Sequence, residues 1–561
     1  MNFISQIGRA LLTQTNRTEV ADRSGAAAHL PAATGASTEG GRSRSATHSD
    51  ALPAQIPRPV PAAMRQNGQI VGNQTKLADL TRDFGDAAGK RLRLTPHADG
   101  TPEMHIHREG KINNPFTAGA KHQAAFNFML DTVAREVGGD RVTAARILGE
   151  NGCSLKGGVP CDRLKDIQQG VAIANIHRAR AEASTPTNVA ARAQAADQFL
   201  QARHGNGLDA LVPPGTTARM SDTGMGGALK VKNAEGALVA VIKPDDAKNH
   251  AKAQFVEAMA APLRAAGAML GFPASERVTL SPAQTQGLKD IIGDADPTSV
   301  NDRAGKARQN IDDNGQVTRM QPAKGKDLSS LPLDERITLI KSGQLGRDLG
   351  YASVMCLMTG LSDHLSLNGS DESGTALVNM DNFIQGEDGM LHAIDPGVQE
   401  RNGVHGAKPG EITSTIGNIR AMLEAANNAG SLEEFADNII QQTKFNNSSN
   451  VLGAIISDIL FTPGKQGFFK TQGEIDQLSQ EDKRNLVLGM MQGMVKGLEF
   501  AQAHGNAIGA GYAGVATGGL QHHFGDNPQA YFTDLAGGFQ TAVRGALAQK
   551  DAFEAKLGEI A

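Results

Sequence analysis

The sequence predicts an α+β chain in which short β-rich segments are set among long helical stretches. Three observations carry this. In residues 224–244, GMGGALKVKNAEGALVAVIKP, the β-branched Val231, Val239, Val241 and Ile242 flank turn chemistry at Asn233 to Gly236, which gives two strands joined by a tight turn. In residues 383–394 a second hairpin folds around Gly386-Glu387-Asp388-Gly389. Much of the remainder has apolar residues at three- and four-residue steps, as Phe255, Met259, Leu263 and Ala266 do within a helix expected over 254–270.

The first hairpin carries the chemistry. Lys243 ends the apolar run LVAVI, where an unpaired ammonium is costly and tends to lose its proton. The next helix has a single acid, Glu257, as the expected partner. Glycines at 224, 226 and 227 open the hairpin, so backbone N–H groups can cover phosphates while Lys243 contacts them and Glu257 holds the lysine. Asn382 and Asp395 flank the second hairpin. Two such oxygens brought together suit Mg2+, with nucleotide phosphates completing its octahedron.

These motifs also carry a resemblance. SDTGMGGALKVKNAEGALVAVIKPDD resembles the glycine-rich loop and lysine strand of the phosphatidylinositol 3- and 4-kinase superfamily, closest to the type II phosphatidylinositol 4-kinase branch, where the lysine precedes a proline as Lys243 precedes Pro244. FVEAMAAPLRAAGAMLGFPASERVTL is similar to that family's acidic helix and its entry to the next strand, and DNFIQGEDGMLHAIDPG to its metal-binding hairpin. The likeness runs over residues 221–399. It implies a two-lobed kinase-like core with a small β-rich lobe and a helical large lobe, using ATP and Mg2+. Lys243 and Asp363 then take catalytic roles, Gly224, Gly226, Gly227, Lys243, Glu257 and Met320 the nucleotide, and Asn382 and Asp395 the metal. Met320 falls in a hinge expected at residues 319–322. Asp381 is the alternative base, and residues 366–378 read as an insertion. The implied reaction is phosphotransfer to a phosphoinositide or a protein hydroxyl. A pseudokinase-like binding or scaffold effector and an ATP-dependent AMP transferase are the rival readings.

The rest of the chain sets bounds. Its 561 residues suggest about three or four domains, read as 1–68, 69–205, 206–410 and 411–561. A net charge of −4 does not point to nucleic acid. No run approaches the roughly 18 apolar residues of a membrane span. Residues 18–65, rich in Ser, Ala, Gly, Thr and Pro, are expected to be disordered. Such a polar start without a secretory core also suits type III-like export of a virulence effector into a host cytosol, with a secretion chaperone as partner; a plain flexible tail in a cytoplasmic protein is the alternative. The three cysteines, Cys153, Cys161 and Cys356, read as ordinary thiols.

Residues 69–205 are expected to hold a hairpin turning at Ala98-Asp99-Gly100 and four helices. His105 and His107 alternate onto one strand face there, half of a metal site or a solvated face. Residues 333–365 read as a helix or two with a break near Ser342-Gly343. The last 150 residues or so read as helices, with Met490, Met491 and Met494 as core filler and the glycine-rich 505–525 as a connection.

Overall fold

The computed structural model describes residues 68–96, 100–108, 115–202, 207–221, 227–294, 302–359, 361, 364–365, 379–395, 400–401, 404–405, 409–445, 451–464, 467–505, 507–509, 511 and 528–560. The expected disordered N-terminus therefore lies outside the described residues. Residues 63–561 form one compact α+β unit.

The chain enters through β1 (Gly68–Ile70), α1 (Leu77–Phe84), β2 (Lys90–Pro96) and β3 (Pro102–Arg108), then runs through α2 (Pro115–Glu136), α3 (Arg141–Glu150), α4 (Leu164–Ala183) and α5 (Pro186–Gln201). The strands form an antiparallel sheet in the order β1-β3-β2. Leu92 and Met104 turn inward onto Leu77, Leu80, Phe84, Met129, Val133 and Ile147. Period-2 alternation on the strands and period-3.6 spacing on the helices produce this core. The expected hairpin and helices form, and of its turn Ala98 and Asp99 lie outside the described residues. Caps fall where the sequence offers them. Asp140 accepts from Val142 N and Thr143 N to start α3, and Thr185 with Pro186 starts α5.

A five-stranded antiparallel sheet follows, in the order β4-β5-β6-β9-β8. Its strands are β4 (Thr217–Met220), β5 (Leu229–Lys232), β6 (Leu238–Lys243), β8 (Ser275–Thr279) and β9 (Gln316–Met320). The turn between β5 and β6 closes as expected, with Gly236 in the left-handed region at φ 81° and Asn233 Oδ1 accepting from Ala237 N at 2.8 Å. Helix α6 (Ala247–Ala265) joins β6 to the short β7 (Leu270–Gly271) and then β8. It starts seven residues before the expected 254, because Asp246 caps it by accepting from Asn249 N. Helices α7 (Pro282–Ile292) and α8 (Arg303–Asn314) pack Leu288, Ile292, Ala307 and Ile311 on Leu229, Val231, Ile242 and Val317. The apolar pattern misses α8, RAGKARQNIDDN, whose buried residues are Ala307 and Ile311 alone. Two apolar contacts in twelve residues leave little periodic signal. Gly315 is the left-handed cap of that helix at φ 60°.

A second sheet, ordered β10-β11-β12-β7, combines β10 (Gly325–Asp327), β11 (Phe383–Gly386) and β12 (Leu391–Ala393) with β7, which runs parallel to β12. Between β10 and β11 lie α9 (Leu333–Lys341) and α10 (Gln344–Thr359), parted at Ser342-Gly343 as expected. The short pair β13 (Glu400–Arg401) and β14 (Val404–His405) precedes α11 (Pro409–Asn428), α12 (Leu432–Phe445), α13 (Val451–Leu460), α14 (Gln480–Ala503), α15 (Pro528–Leu547) and α16 (Lys550–Ile560).

Helices α10 and α14 form the centre of the largest core. All of α10 except Arg347 is buried. Gly346 and Gly350 on α10 and Gly489 and Gly493 on α14 sit so close to the facing backbone that a Cβ at any of them would collide with it. The four-residue glycine spacing on both helices is what permits that approach. Met490, Met491 and Met494 are fully buried beside it, as expected.

Candidate active site

Lys243 ends β6 on the face away from the α7–α8 layer, since its neighbour Ile242 points into that layer. Its Nζ reaches Asp395 Oδ1, from the residue two past β12. The lysine side chain is 16% exposed and the carboxylate 60%, so the pair joins a sheltered ammonium to an acid open to solvent. Asp395 has φ 55°, alone among described non-glycine residues in the left-handed region. That conformation costs an L-residue roughly 1–2 kcal/mol, and Asp tolerates it better than most.

The hairpin fixes this geometry. Ile394 N donates to Asn382 O at 2.9 Å, which places the two expected metal residues at adjoining ends of one ladder. Asn382 is 7% exposed. Beneath the hairpin, the buried His364 Nε2 lies 2.6 Å from Ile394 O, and its ring meets Phe383 edge to face. Burial drives the His364 imidazole down to about 4, against the pull of the Ile394 carbonyl and Asp395, so at neutral pH it is uncharged and Nε2–H donates to Ile394 O. Asp245, two residues past Lys243, is half-buried. Burial pushes its carboxyl up to about 6, with Lys243 acting in the opposite sense and Asp395 adding to the rise.

The expected Lys243–Glu257 pair does not form. Glu257 Oε1 accepts from Arg264 Nη2 at 2.6 Å and Oε2 from Ser275 N at 2.9 Å. Arg264 stands two helical turns farther along the same face of α6, and β8 begins at Ser275, so local partners take both oxygens while Lys243 takes Asp395. Burial raises the Glu257 carboxyl, with Arg264 opposing the rise. Among the expected hinge residues, Arg319 belongs to β9. It pairs with Glu276 at 3.0 Å and lies 3.9 Å from the centre of the Phe199 ring. Met320, at the strand's end, is buried opposite Val241 and Ser275, and Gln321 N donates to Ala274 O before the chain crosses to β10. Gly227 is described, at φ 69° against α8. Gly224, Gly226, Asp363 and the expected insertion 366–378 lie outside the described residues. Asp381, the alternative base, accepts from Ser329 Oγ, and burial followed by Asp381 raises the nearby Asp327 carboxyl.

Two features of the site were not foreseen. Asp245 and His364 stand next to named residues and carry no motif of their own; the adjacent carboxylates in Lys243-Pro244-Asp245-Asp246 were the available signal. The other is a clamp on the hairpin. At its turn, a Cβ on Gly389 would stand 3.0 Å from Ala179 Cβ and Arg180 N of α4, and Arg192 of α5 reaches Met390 Sδ. Arg180 also pairs with Asp348, which is buried on α10. Helices from residues 164–201 thus hold the hairpin that carries Asp395, and through Phe199 they touch the five-stranded sheet as well.

No protein-family model matches this chain, and no curated protein matches it. Among the described residues no helix is long and apolar enough to cross a membrane.

Proposed function

We propose that this chain is an ATP-dependent phosphotransferase with a kinase-like core, acting on a phosphoinositide or a protein hydroxyl. The observation that carries the reading is the reach of Lys243, on the third strand of the five-stranded sheet, to Asp395 at the end of the β11–β12 hairpin. A lysine on the third strand, a helix with a glutamate after it, and a metal-binding carboxylate across the cleft are the parts that position a nucleotide triphosphate in kinases.

Asp395 is open to solvent and Asn382 adjoins it on the hairpin, so these two residues suit Mg2+; when bound, the ion neutralises charge on the phosphates. Lys243 contacts a phosphate oxygen, and His364 holds the backbone before Asp395. Val241 and Met320 offer the adenine an apolar wall on the same face as Lys243. Asp363 or Asp381 orients the acceptor hydroxyl. Composition of residues 18–65 supports the further reading of an exported effector.

A second reading, a nucleotide-binding scaffold without transfer, has one observation in its favour: both Glu257 oxygens are occupied by Arg264 and Ser275 rather than by Lys243. Purified wild type, Lys243→Ala and Asp395→Ala are incubated with γ-labelled ATP, Mg2+, mixed phosphoinositides and a eukaryotic lysate. Transfer is expected with the wild type, and a fall of about 10²-fold or more with either variant. Wild-type transfer retained in Lys243→Ala overturns the assignment. Nucleotide binding without transfer selects the scaffold.

A further inference from the structure

Lys243 belongs to the five-stranded sheet and Asp395 follows the four-stranded one, and the chain passes between these sheets by short irregular connections. Residues 272–274 lead from β7 to β8, and residues 321–324 lead from β9 to β10. The two connections lie side by side, with Gln321 N donating to Ala274 O at 2.8 Å and Ala274 N donating to Gln321 Oε1 at 3.3 Å. A junction of this kind lets one sheet tilt against the other, since only a few φ and ψ angles have to change.

Helix α5 crosses the same junction as one regular element. Val189, Arg192, Ala193, Ala196, Phe199 and Leu200 are its residues shielded from solvent, and their three- and four-residue steps form a single stripe. The two ends of that stripe meet different sheets. Near the start, Val189 Cγ1 would stand 3.1 Å from a Cβ on Gly267, in the turn before β7, and Arg192 reaches Met390 Sδ beside β12. Near the end, Phe199 O accepts from Arg319 Nη1 at 2.8 Å, and that guanidinium lies 3.9 Å from the centre of the Phe199 ring. Arg319 is itself fixed, by Glu276 of β8 at 3.0 Å, and it stands opposite Ile242 in the β6–β9 register, one residue before Lys243. Arg192 and Phe199 are two helical turns apart, roughly 10 Å along the axis, and the hydrogen-bonded ladder of a helix keeps such a separation constant.

We propose that α5 is a strut that sets the spacing of the two sheets, with Arg192 and Phe199 as positioning residues for Lys243 and Asp395. The spacing stands on geometry alone, while its consequence for a nucleotide rests on the phosphotransfer reading. A triphosphate that engages both sheets, through Lys243 on one side and the metal at Asp395 on the other, binds only when they are correctly separated. With the strut in place that separation exists before binding, so no binding free energy goes into creating it. With the strut released, affinity falls in proportion to the fraction of molecules at the right spacing, whereas the rate of the bound complex is kept. Helix α5 then works with the core, although it precedes the 206–410 boundary expected from the sequence.

The test uses the full chain with spin labels at Lys232→Cys in β5 and Glu387→Cys in the β11–β12 turn, both exposed positions, while Cys153, Cys161 and Cys356 are buried. Distances between the labels are measured by pulsed electron resonance, without ligand and with ATP and Mg2+. The expected result is one narrow distance in the otherwise unchanged chain, a broad distribution in Phe199→Ala and in Arg192→Ala, and a return to the narrow distance when ATP and Mg2+ are added to either variant. In transfer assays without labels, the KM for ATP should rise about tenfold in either variant, as for a spacing that is one-tenth populated, with kcat kept. Loss of folded protein would instead lower kcat and leave KM in place. Narrow distances in both variants, a broad one in the otherwise unchanged chain, broadening in Lys243→Ala but in neither α5 variant, or a lower kcat at an unmoved KM each overturns the proposal. Arg192→Ala decides by itself if Phe199→Ala does not fold. Broadening in the α5 variants, together with an absence of transfer in every chain, upholds the strut and strikes the phosphotransfer reading.

Discussion

Between helices α10 and α14 the backbones touch through glycines, apolar side chains fill the flanks, and the fully buried charge is Asp348, met by Arg180. Where β6 meets the end of β12 the pattern is reversed. Lys243, Asp245, Asn382 and Asp395 converge there, Asp395 is mostly exposed, and its backbone is in the left-handed region. The first region is closed to any added atom, and the second leaves its acid open to solvent. Helix α4 joins the two, because Arg180 pairs with α10 while its backbone abuts the turn of the hairpin that carries Asp395.

The largest expected effect is on the helix pair. Asp348→Ala leaves Arg180 buried without its acid and should cost about 3–5 kcal/mol in urea unfolding. The double variant Arg180→Met/Asp348→Leu, which removes both charges, should recover most of that loss. If the single variant costs under about 1 kcal/mol, the pair is not the buried contact described.

Gly350→Val tests the same region through volume. Its Cβ would meet the Met490 backbone, which cannot swing aside as a side chain can, so about 1–3 kcal/mol should be lost. Lys243→Ala, at the end of β6, should stay within about 0.5 kcal/mol of wild type in the same unfolding measurement while abolishing the proposed transfer. Equal losses in the two variants would erase the distinction between the regions.

The last effect concerns pH and divides the Lys243–Asp395 region itself. The folded Asp245 carboxyl titrates at about 6, above its ordinary 3.8, so the folded state binds the extra proton between those values and Asp245 lowers stability as pH rises through that window. His364 titrates at about 4 when folded against 6.5 unfolded, so the unfolded state binds the extra proton and stability rises with pH from about 4 to 6.5. The two slopes oppose each other over nearly the same range. Asp245→Asn should therefore make the urea midpoint climb more steeply between pH 4 and pH 6.5 than it does in wild type. An unchanged slope would mean that Asp245 is solvated.

Local chemistry made much of this legible. β-branched runs around Asn233 to Gly236 gave the β5–β6 hairpin, Gly386 to Gly389 gave β11–β12, and Ser342-Gly343 gave the break between α9 and α10, because each signal acts over a few residues. The bare pattern failed at α8, where a polar helix depends on a neighbouring layer to bury Ala307 and Ile311. It failed also at Glu257, named correctly as the acid of its helix and given the wrong partner.

By itself, then, the sequence determined which residues stand at strand ends, turns and helix faces, since propensity and periodicity are properties of neighbours in the chain. Only the tertiary structure decided who meets whom. Lys243 and Asp395 are 152 residues apart, and no local rule can choose between that acid and Glu257. The choice is made when α6 turns Glu257 toward Arg264 and Ser275 and the hairpin lifts Asp395 to the lysine, because the free energy of a charge pair depends on distance and burial rather than on sequence separation.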